Sequence, residues 1–553
     1  MRFSKVNREK YFKQSENNIF DVLVIGGGVT GAGIVLDAVS RGLSTALFEK
    51  DDFAQGTSSK STKLVHGGLR YLKSFDIKLV RDAGRERAIL YQNASHIVYP
   101  QKMLIPIYKS NTYGKLLTSF ALWIYDLLAG VETRYTKRTI NKSQVLERNP
   151  KLKPDALKGG VEYFEYRTND ARLVIESIKK ANELGALVLN YSNVIKIEKK
   201  EEIVLLTVLD QISGKEFLVK TKVLINATGM WVDDVLQRNR ITKEQLIFPS
   251  KGIHIVIDKS KLEISTSVYF ELNDGRMIFV IPNKNKIYVG TTDDKYTGDY
   301  DNILANTEEI NYLLTAVCSY FDCSIGLKDV EISWAGVRPL VYNSRKTVDK
   351  MSRKEKLIVH RGNIISVFGG KLTAYRLMAE KTIDKVLEIL PKSNKIKPCT
   401  TKEIALSGGD FDFGRVEPHK LVAYEESLFY HAYQLNATTE FMHNLFQHYG
   451  KNTELIIDRA FDIYNKLKDR SLVWLEAEIW YVANYEMLVS ISDFMMRRTD
   501  RFFFDHTESI NQLQNIAKLI AVELDLSEEE IEKQIYEYKE IAKQNHSLAV
   551  KND

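Results

Sequence analysis

The chain has 553 residues, 44% of them hydrophobic, so it is too long for a single core and two or three domains are expected. Lys and Arg total 78 against 72 Asp and Glu, and the formal net charge of +6 is mild for this length. No basic-aromatic repeat or zinc-ligand spacing accompanies that charge, so we expect neither a nucleic-acid partner nor a metal site.

The N-terminal segment MRFSKVNREKYFKQSENN lacks the apolar stretch of a secretory signal and predicts a basic, partly helical lead-in. An apolar strand then runs into the glycines of DVLVIGGGVTG, and a second strand, STALFEK, carries Glu49 near its end. This pattern is typical of a dinucleotide-binding βαβ unit. Gly26 allows a tight turn, Gly28 lets the backbone approach a pyrophosphate and Gly31 lets the helix pack on the strand. The helix N-terminus offers N–H groups to the phosphates, and Glu49 is placed to accept the adenosine ribose hydroxyls.

The segment Asp51–Arg87, DDFAQGTSSKSTKLVHGGLRYLKSFDIKLVRDAGRER, is basic and rich in Gly, Ser and Thr, which predicts a second ligand-lining loop. A domain that binds only NAD has no need of such a loop, whereas an FAD enzyme must also hold the inner phosphate, the ribityl chain and the isoalloxazine ring. The hydroxyls and backbone amides of Gly56, Thr57, Ser58 and Ser59 suit that task. A solvated polar loop is the alternative for any one of these residues.

The most apolar run is LLTSFALWIYDLLAG, Leu116–Gly130. It is shorter than a membrane span and contains Asp126, so we do not expect it to cross a bilayer. The aromatic and basic residues around it are compatible with an amphipathic helix in a membrane interface. A helix packed inside the substrate domain fits the same pattern.

The chain then returns twice to the dinucleotide-binding unit. A helix from Ala171, strands in ALVLNYSNVIKIE and a strand KVLINATG ending at Gly229 form the first return. In the second, the strand NIISVF meets Gly369 and Gly370 and opens a helix whose N-terminus points at a polar group of the ligand, such as the flavin pyrimidine edge. Alternating strands such as GIHIVID, RMIFVIP and KIYVGTT lie between the returns, and residues 411–553 are helical throughout.

These elements predict an α/β protein, α+β overall, in three parts. The parts are a discontinuous Rossmann-type FAD-binding domain (1–100, 169–239 and 341–395), a substrate-binding domain with an antiparallel sheet (101–168 and 240–340) and an all-helical C-terminal domain (396–553).

A set of motifs is spread over most of the first four hundred residues: VIGGGVTGAG, DFAQGTSSKSTKLVHGGLRYL, NDARL, INATGMW, PSKGIHIV, VGTTD, WAGVRPL and SVFGGKLTAYR. Together they resemble the FAD-dependent glycerol-3-phosphate dehydrogenases and their close relatives, the α-glycerophosphate oxidases. HGGLRYL is the most distinctive of these motifs. Met230 departs from the family pattern, which usually has proline after NATG, and this puts only the local backbone geometry in doubt.

The resemblance implies oxidation of sn-glycerol 3-phosphate to dihydroxyacetone phosphate by hydride transfer to non-covalently bound FAD, with a membrane quinone as electron acceptor. An oxidase that passes electrons to oxygen and releases hydrogen peroxide is the alternative. Oxidases of the family carry an extra segment for which the link from VGTTD to SVFGGKL looks too short. A non-enzymatic dinucleotide-binding or scaffold module is the alternative of another class.

The same motifs supply the candidate site residues. His66 is the candidate base, because imidazole takes up a proton near neutral pH, and His254 is the second choice. A hydrogen-bonded structural histidine is the alternative for His66. The other candidates are Arg338, Lys371, Arg70 and, more weakly, Arg353 for the phosphate, Lys371 also for a charge near flavin N1, and Tyr71 for a substrate hydrogen bond. The cofactor-binding residues are expected to be Gly26, Gly28, Gly31, Glu49, Thr57, Ser58, Ser59, Gly229, Gly370, Leu372 and Thr373.

The resemblance also implies a cytoplasmic protein held peripherally on the inner face of the cell membrane, with a respiratory quinone as a further partner. The helical C-terminal domain is expected to serve packing, dimerisation or docking, and a second copy of the chain is the partner expected for dimerisation. Cys318, Cys323 and Cys399 have no CxxC pairing, are typical of a reducing compartment and are expected to be buried or incidental.

Overall fold

The computed structural model describes residues 2–67, 77–109, 119, 122, 135–343, 354–467 and 469–546, with the backbone alone at Leu79. The predicted interfacial helix Leu116–Gly130 lies outside the described residues, apart from Ser119 and Leu122. Within the described part of the chain, no helix has the length and apolar character to span a bilayer.

The first sheet has eight strands among the described residues, and a parallel run of five forms its centre. Its strands in order are Glu355–His360, Ile364–Gly369, Glu216–Asn226, Ile19–Ile25, Thr45–Phe48 and Leu187–Leu189, with Ser192–Lys199 and Val204–Asp210 attached through Glu216–Asn226. Thr45–Phe48 is buried throughout, as expected for a parallel strand covered on both faces. The chain enters this sheet in three separate segments, which agrees with the predicted discontinuous Rossmann-type unit.

Three helices pack against one another over the first sheet: Val29–Ser40, Asp170–Glu183 and Tyr375–Ile389. A Cβ atom at Gly33 would lie 2.7 Å from the ring of Tyr375, so glycine permits the close approach of the first and third helices. The lead-in helix Arg8–Asn17 is fixed to the unit by Arg8, whose Nε lies 2.8 Å from Asp210 Oδ1 in a buried ion pair.

The second sheet has ten strands among the described residues. Eight of them follow the order Asp294–Lys295, Ile247–Asp258, Lys286–Gly290, Met277–Asn283, Ser267–Glu271, Val98–Tyr108, Leu157–Thr168 and Leu64–Val65, while Val330–Val341 pairs with Ile247–Asp258 and Arg138–Ile140 pairs with Leu157–Thr168. Helices Ile77–Asn93, Lys142–Arg148, Val232–Arg238 and Thr307–Tyr320 complete this half of the chain.

Two details of the second sheet differ from the sequence prediction. Ser267–Glu271 and Val98–Tyr108 pair in parallel, whereas the sheet was expected to be antiparallel. The chain returns to the first sheet between these two strands, and such a long connection permits parallel pairing. The boundary expected at residue 100 also falls inside Val98–Tyr108, and Leu64–Val65 joins the second sheet rather than the first. The domain limits themselves stay a prediction.

The C-terminal part is all-helical, as predicted. Its helices are Pro418–Ala432, Thr439–Tyr449, Thr453–Tyr464, Val473–Tyr485, Ile491–Asp493, Arg501–Phe504, His506–Asn511, Leu513–Leu524 and Glu528–Asn545, with a π-helical turn at Phe494–Arg498. Ser527 and Glu530 form the capping box that starts the last helix. These helices share one apolar core with the second sheet, where buried Trp334 packs against Phe503 with ring centroids 5.2 Å apart.

Candidate functional site

A cavity of about 600 Å³ lies where four parallel strands of the first sheet end. Residues that follow those strands line it, among them Gly26, Glu49, Ala227 and Gly370, and Gly336 of the second sheet lines it as well. Ligands of open α/β sheets bind at the carboxyl ends of the strands, so this position is the expected one for a dinucleotide. The volume lies within the range of about 300–1,000 Å³ typical of ligand pockets.

The glycine fingerprint adopts the predicted strand-turn-helix geometry. Gly26 has φ +110°, and a Cβ there would lie 2.6 Å from the carbonyl oxygen of Ala227. A Cβ at Gly31 would lie 1.9 Å from the carbonyl oxygen of Gly26, so only glycine lets the helix approach the turn. Gly28 lines the cavity at the N-terminus of helix Val29–Ser40.

The second loop meets the fingerprint at the helix N-terminus. Ser58 Oγ accepts a hydrogen bond from the N–H of Val29 at 2.9 Å, and both residues line the cavity. Thr57 also lines the cavity, while its hydroxyl donates to the carbonyl oxygen of Val337. Ser59 is buried and is not among the cavity-lining residues, so of the three predicted hydroxyls it alone faces away.

Glu49 directly follows strand Thr45–Phe48 and lines the cavity. Its Oε2 accepts from the N–H of Gly27 at 2.5 Å, and its Oε1 accepts from the N–H of Asp51 at 2.9 Å. Burial raises the pKa of Glu49 to about 7, although both N–H groups favour the charged form. The carboxyl group therefore titrates near neutral pH and lies beside the glycine turn, where it can accept hydrogen bonds from an adenosine ribose.

Two buried carboxylates, those of Asp52 and Asp170, hold the second loop in place. Asp52 lies between Arg497 and Arg498 of the π-helical turn, and the charges of these two guanidinium groups outweigh burial and hold the pKa of Asp52 below its usual value. Asp170, in the NDARL motif, accepts from Ser61 Oγ at 2.7 Å and from Lys63 Nζ at 2.6 Å. The loop is thus fixed at both ends by charge-assisted hydrogen bonds.

The third segment reaches the cavity through Gly369, Gly370, Lys371, Leu372 and Thr373, which all line it. Both glycines have positive φ, +76° and +74°. A helical segment follows these glycines, as the sequence predicts, and its first turn is not α-helical. A 3-10 turn, Leu372–Ala374, comes first, and helix Tyr375–Ile389 begins after it. Lys371 occupies the N-cap position of this 3-10 turn and lines the cavity.

Arg338 lines the cavity from strand Val330–Val341. Its guanidinium donates from Nη2 to Thr291 Oγ1 at 2.8 Å and from Nη1 to the Thr292 carbonyl oxygen at 3.2 Å, and Nη1 lies 3.3 Å from Asp293 Oδ1. The side chain is 28% exposed, so a ligand in the cavity can reach it. The VGTTD motif thus orients the planar guanidinium group of Arg338, which can donate two parallel hydrogen bonds, towards the cavity.

The two candidate histidines occupy different environments. His66 lines the cavity, and its carbonyl oxygen accepts from Thr373 Oγ1 at 3.0 Å, which joins the second loop to the third segment. His254 is 1% exposed and stacks on Trp334 with ring centroids 4.9 Å apart. Its Nε2 lies 2.9 Å from Thr62 Oγ1. Burial, with the charges of Arg338 and Lys63, lowers the pKa of His254 well below 6.5, and His254 is not among the lining residues.

The structure brings together most of the predicted site residues. Those that line the cavity are Gly26, Gly28, Glu49, Thr57, Ser58, His66, Gly229, Arg338, Gly370, Lys371, Leu372 and Thr373. Gly31, Ser59 and His254 are not among them. Arg70, Tyr71 and Arg353 lie outside the described residues. Among the described residues, no group of three or more His, Cys, Asp or Glu side chains is placed to hold a metal ion.

Sequence reasoning missed several contributors. Gly252 and Gly336 face each other across two strands and both line the cavity. A Cβ at Gly252 would lie 2.4 Å from Arg338 Nη2, so glycine makes room for the guanidinium. Glycine inside a strand is a signal for such close approach and was available in KGIHIV and WAGVRPL. Lys60 also lines the cavity, and burial lowers its pKa to about 8. Asp52 had no local signal, because its partners lie near the C-terminus.

Comparisons with known proteins agree with this architecture. Residues 21–376 match the model of the family described as FAD dependent oxidoreductase, and residues 399–531 match the C-terminal domain of alpha-glycerophosphate oxidase. The aerobic glycerol-3-phosphate dehydrogenase of Staphylococcus aureus (strain MRSA252) is 38% identical over 565 residues, with 100% of both chains covered. The chain therefore belongs to the glycerol-3-phosphate dehydrogenases of the FAD-dependent oxidoreductase family, and its cofactor is FAD.

Two solved structures have a fold similar to that of this chain. The glycerol-3-phosphate dehydrogenase from Bacillus halodurans complexed with FAD is 34% identical, with 98% of both chains covered and a TM-score of 0.83. The L-alpha-glycerophosphate oxidase from Mycoplasma pneumoniae with FAD bound is 17% identical and covers 70% of this chain and 98% of its own, with a TM-score of 0.54. At that identity the second likeness concerns the fold alone.

The residues present fit FAD. The turn at Gly26 and Gly28 leaves room for a pyrophosphate at a helix N-terminus, and Glu49 stands beside it for the ribose. His66, Arg338 and Lys371, which line the same cavity, provide the polar and cationic groups that a flavin ring and an anionic substrate require.

Proposed function

We propose that this protein oxidises the secondary alcohol of sn-glycerol 3-phosphate to dihydroxyacetone phosphate and passes the electrons through FAD to a respiratory quinone. The observation that carries the proposal is the meeting of His66, Arg338 and Lys371 in the cavity that the dinucleotide fingerprint enters. Oxidation of a phosphorylated alcohol needs a proton acceptor and cations for the phosphate. Bound FAD supplies the hydride acceptor.

Arg338 is the proposed main phosphate ligand. Its guanidinium group donates hydrogen bonds to Thr291 and to the Thr292 carbonyl oxygen, so it is ordered before substrate binds. A guanidinium group held in this way can donate hydrogen bonds to two phosphate oxygens at once. Lys371 adds a point charge on the third segment, close to the place of the flavin edge. It therefore serves either the phosphate or the charge of the reduced ring. Arg70 and Arg353 are proposed as further cations.

His66 is the proposed acceptor of the hydroxyl proton, because it lines the cavity and Thr373 fixes its backbone. His254 fits that role less well. It is enclosed beside Trp334, and its low pKa keeps it neutral at physiological pH. We assign it instead to holding Thr62, a lining residue, through the contact at Nε2. Tyr71 stays a proposed hydrogen-bond partner of the substrate.

The electron acceptor and the cellular location are also part of the proposal. The relatives are named aerobic glycerol-3-phosphate dehydrogenase, which supports transfer to a respiratory quinone. We place the protein in the cytoplasm, peripherally on the inner face of the cell membrane, with the aromatic run Leu116–Gly130 as the proposed contact with lipid. A homodimer is the proposed assembly, which sedimentation equilibrium would test.

The experiment compares substrates and acceptors on the FAD-loaded protein. Glycerol 3-phosphate with a soluble quinone analogue should give rapid turnover, whereas glycerol should be a very poor substrate because it lacks the phosphate. With oxygen alone, turnover should be slow and produce little hydrogen peroxide. Rapid stoichiometric peroxide formation without a preference for the quinone would identify an oxidase. Equal turnover of glycerol would reject the cationic cluster as the substrate site.

A further inference from the structure

Cys318 and Cys323 lie together at the end of helix Thr307–Tyr320, away from the residues that line the cofactor cavity. Their sulfur atoms are 3.3 Å apart, and both residues are partly exposed. An S–S bond is about 2.05 Å long, so bond formation requires the sulfurs to approach by only about 1.3 Å. The proposed oxidation of glycerol 3-phosphate uses neither thiol.

The turn that brings the two thiols together is held by contacts of its own. Lys153 Nζ donates to the carbonyl oxygen of Cys318 at 2.7 Å, and the N–H of Lys153 donates to the carbonyl oxygen of Tyr320 at 2.9 Å. The ring of Tyr320 stacks on Phe270 with centroids 4.0 Å apart, and Phe321 is fully buried. The thiols are therefore preorganised, and their reaction with each other is effectively intramolecular.

We propose that Cys318 and Cys323 form an oxidation site, at which a small peroxide converts the two thiols into a reversible intramolecular disulfide. Cys318 loses its proton and its thiolate attacks the peroxide; the O–O bond breaks, Cys318 becomes a sulfenic acid, and the released hydroxide takes up that proton and leaves as the first water. The Cys323 sulfur then attacks the Cys318 sulfur, the S–O bond breaks, and a second water leaves with the Cys323 proton. Overall, two thiols are oxidised to one disulfide and one hydrogen peroxide is reduced to two waters.

The order of attack follows from the environment of Cys323. Burial and the contact with Cys318 raise the pKa of Cys323 to about 12, so this sulfur keeps its proton while Cys318 reacts first.

Cys399 provides an internal control. It is partly exposed like the pair, and its Sγ donates to Asp37 Oδ1 at 2.9 Å. Burial and that carboxylate raise the pKa of Cys399. The chain has three cysteines, so Cys399 has no partner for an intramolecular disulfide if the other two pair with each other.

The test treats the FAD-loaded full chain with hydrogen peroxide and then alkylates the free thiols under denaturing conditions. Cys318 and Cys323 lie on one tryptic peptide, residues 296–328, which contains no internal Lys or Arg. We expect two of the three thiols to be lost, the peptide to become lighter by two hydrogens, and dithiothreitol to restore both thiols. The Cys399→Ser variant should behave in the same way, whereas Cys323→Ser should form no intramolecular disulfide.

Three results would overturn the proposal. They are full alkylation of all three thiols after peroxide treatment, oxidation of Cys399 at the same rate as the pair, and a peptide that only gains oxygen.

Discussion

Asp52 and Arg498 are 446 residues apart in the sequence and form a two-point ion pair in the core. Arg498 Nη1 lies 2.5 Å from Asp52 Oδ2, Nη2 lies 2.9 Å from Oδ1, and both side chains are fully buried. Asp52 lies at the start of the loop that carries Thr57 and Ser58, so the C-terminal helical part holds the cofactor loop in place. The helical part is therefore coupled to the FAD site as well as to the core.

We predict that Asp52→Asn lowers stability by about 3 kcal/mol, because it removes the buried carboxylate that Arg497 and Arg498 share. Each arginine keeps another acidic neighbour, Asp493 for Arg497 and Glu486 for Arg498. FAD should bind more weakly at the same time. The matched control is Asp412→Asn, which removes an ion pair to Lys451 from a carboxylate that is 88% exposed and should change stability by less than about 1 kcal/mol. Thermal unfolding followed by flavin release measures both effects. Equal unfolding temperatures for the two variants would show that Asp52 does not hold the loop.

The fingerprint predicts a steric effect at Gly31. Gly31→Ala places a Cβ against the Gly26 carbonyl oxygen and should cost about 1–3 kcal/mol or more, with loss of FAD binding. Gly326→Ala is the control, because a Cβ there meets nothing within 4 Å and the residue has φ −128°. FAD affinity is measured by flavin fluorescence quenching. Unchanged affinity in Gly31→Ala would mean that the turn can open without cost.

The raised pKa of Glu49 predicts a pH dependence of FAD binding. Ribose hydroxyls donate to the ionised carboxylate, so bound FAD lowers the pKa of Glu49 from about 7 and binding releases a proton. The affinity for FAD should be constant above pH 7. Below pH 7 it should decrease by up to about tenfold per pH unit, until the pH reaches the pKa of Glu49 in the FAD-bound protein. Glu49→Gln should bind more weakly at pH 8 and lose this dependence. The same slope in Glu49→Gln would assign the titration to another group.

Arg338 tests the phosphate site. Arg338→Ala should weaken substrate binding by roughly 1.5–3 kcal/mol or more, and Arg338→Lys should restore only part of the loss because the fork is absent. Arg470→Ala, on the C-terminal helical part beside Tyr464, is the control and should leave substrate affinity unchanged. The readout is substrate affinity from anaerobic titration of each variant. If Arg338→Lys restored the full substrate affinity, the positive charge alone would explain the effect and paired hydrogen bonds to the phosphate would not be needed.

Local patterns predicted most of the cofactor-binding fold. Three local patterns carried this prediction: the glycines after Ile19–Ile25, the acid at Glu49 and the alternating residues around His254. Each pattern reflects contacts between residues that are close in the sequence. Asp52 carried no such signal, since Arg497 and Arg498 approach it only after the helical part packs on the first sheet. The burial of Ser59 away from the cavity was equally hidden, because a 3-10 turn decides which hydroxyl faces the cavity.

The most direct test of the proposed function is an anaerobic titration of the FAD-loaded protein with glycerol 3-phosphate. One equivalent of substrate per flavin should remove most of the visible flavin absorption and yield one equivalent of dihydroxyacetone phosphate, and a quinone analogue should then restore the yellow colour faster than dissolved oxygen does. A protein that binds FAD and keeps its colour in excess glycerol 3-phosphate would contradict the account.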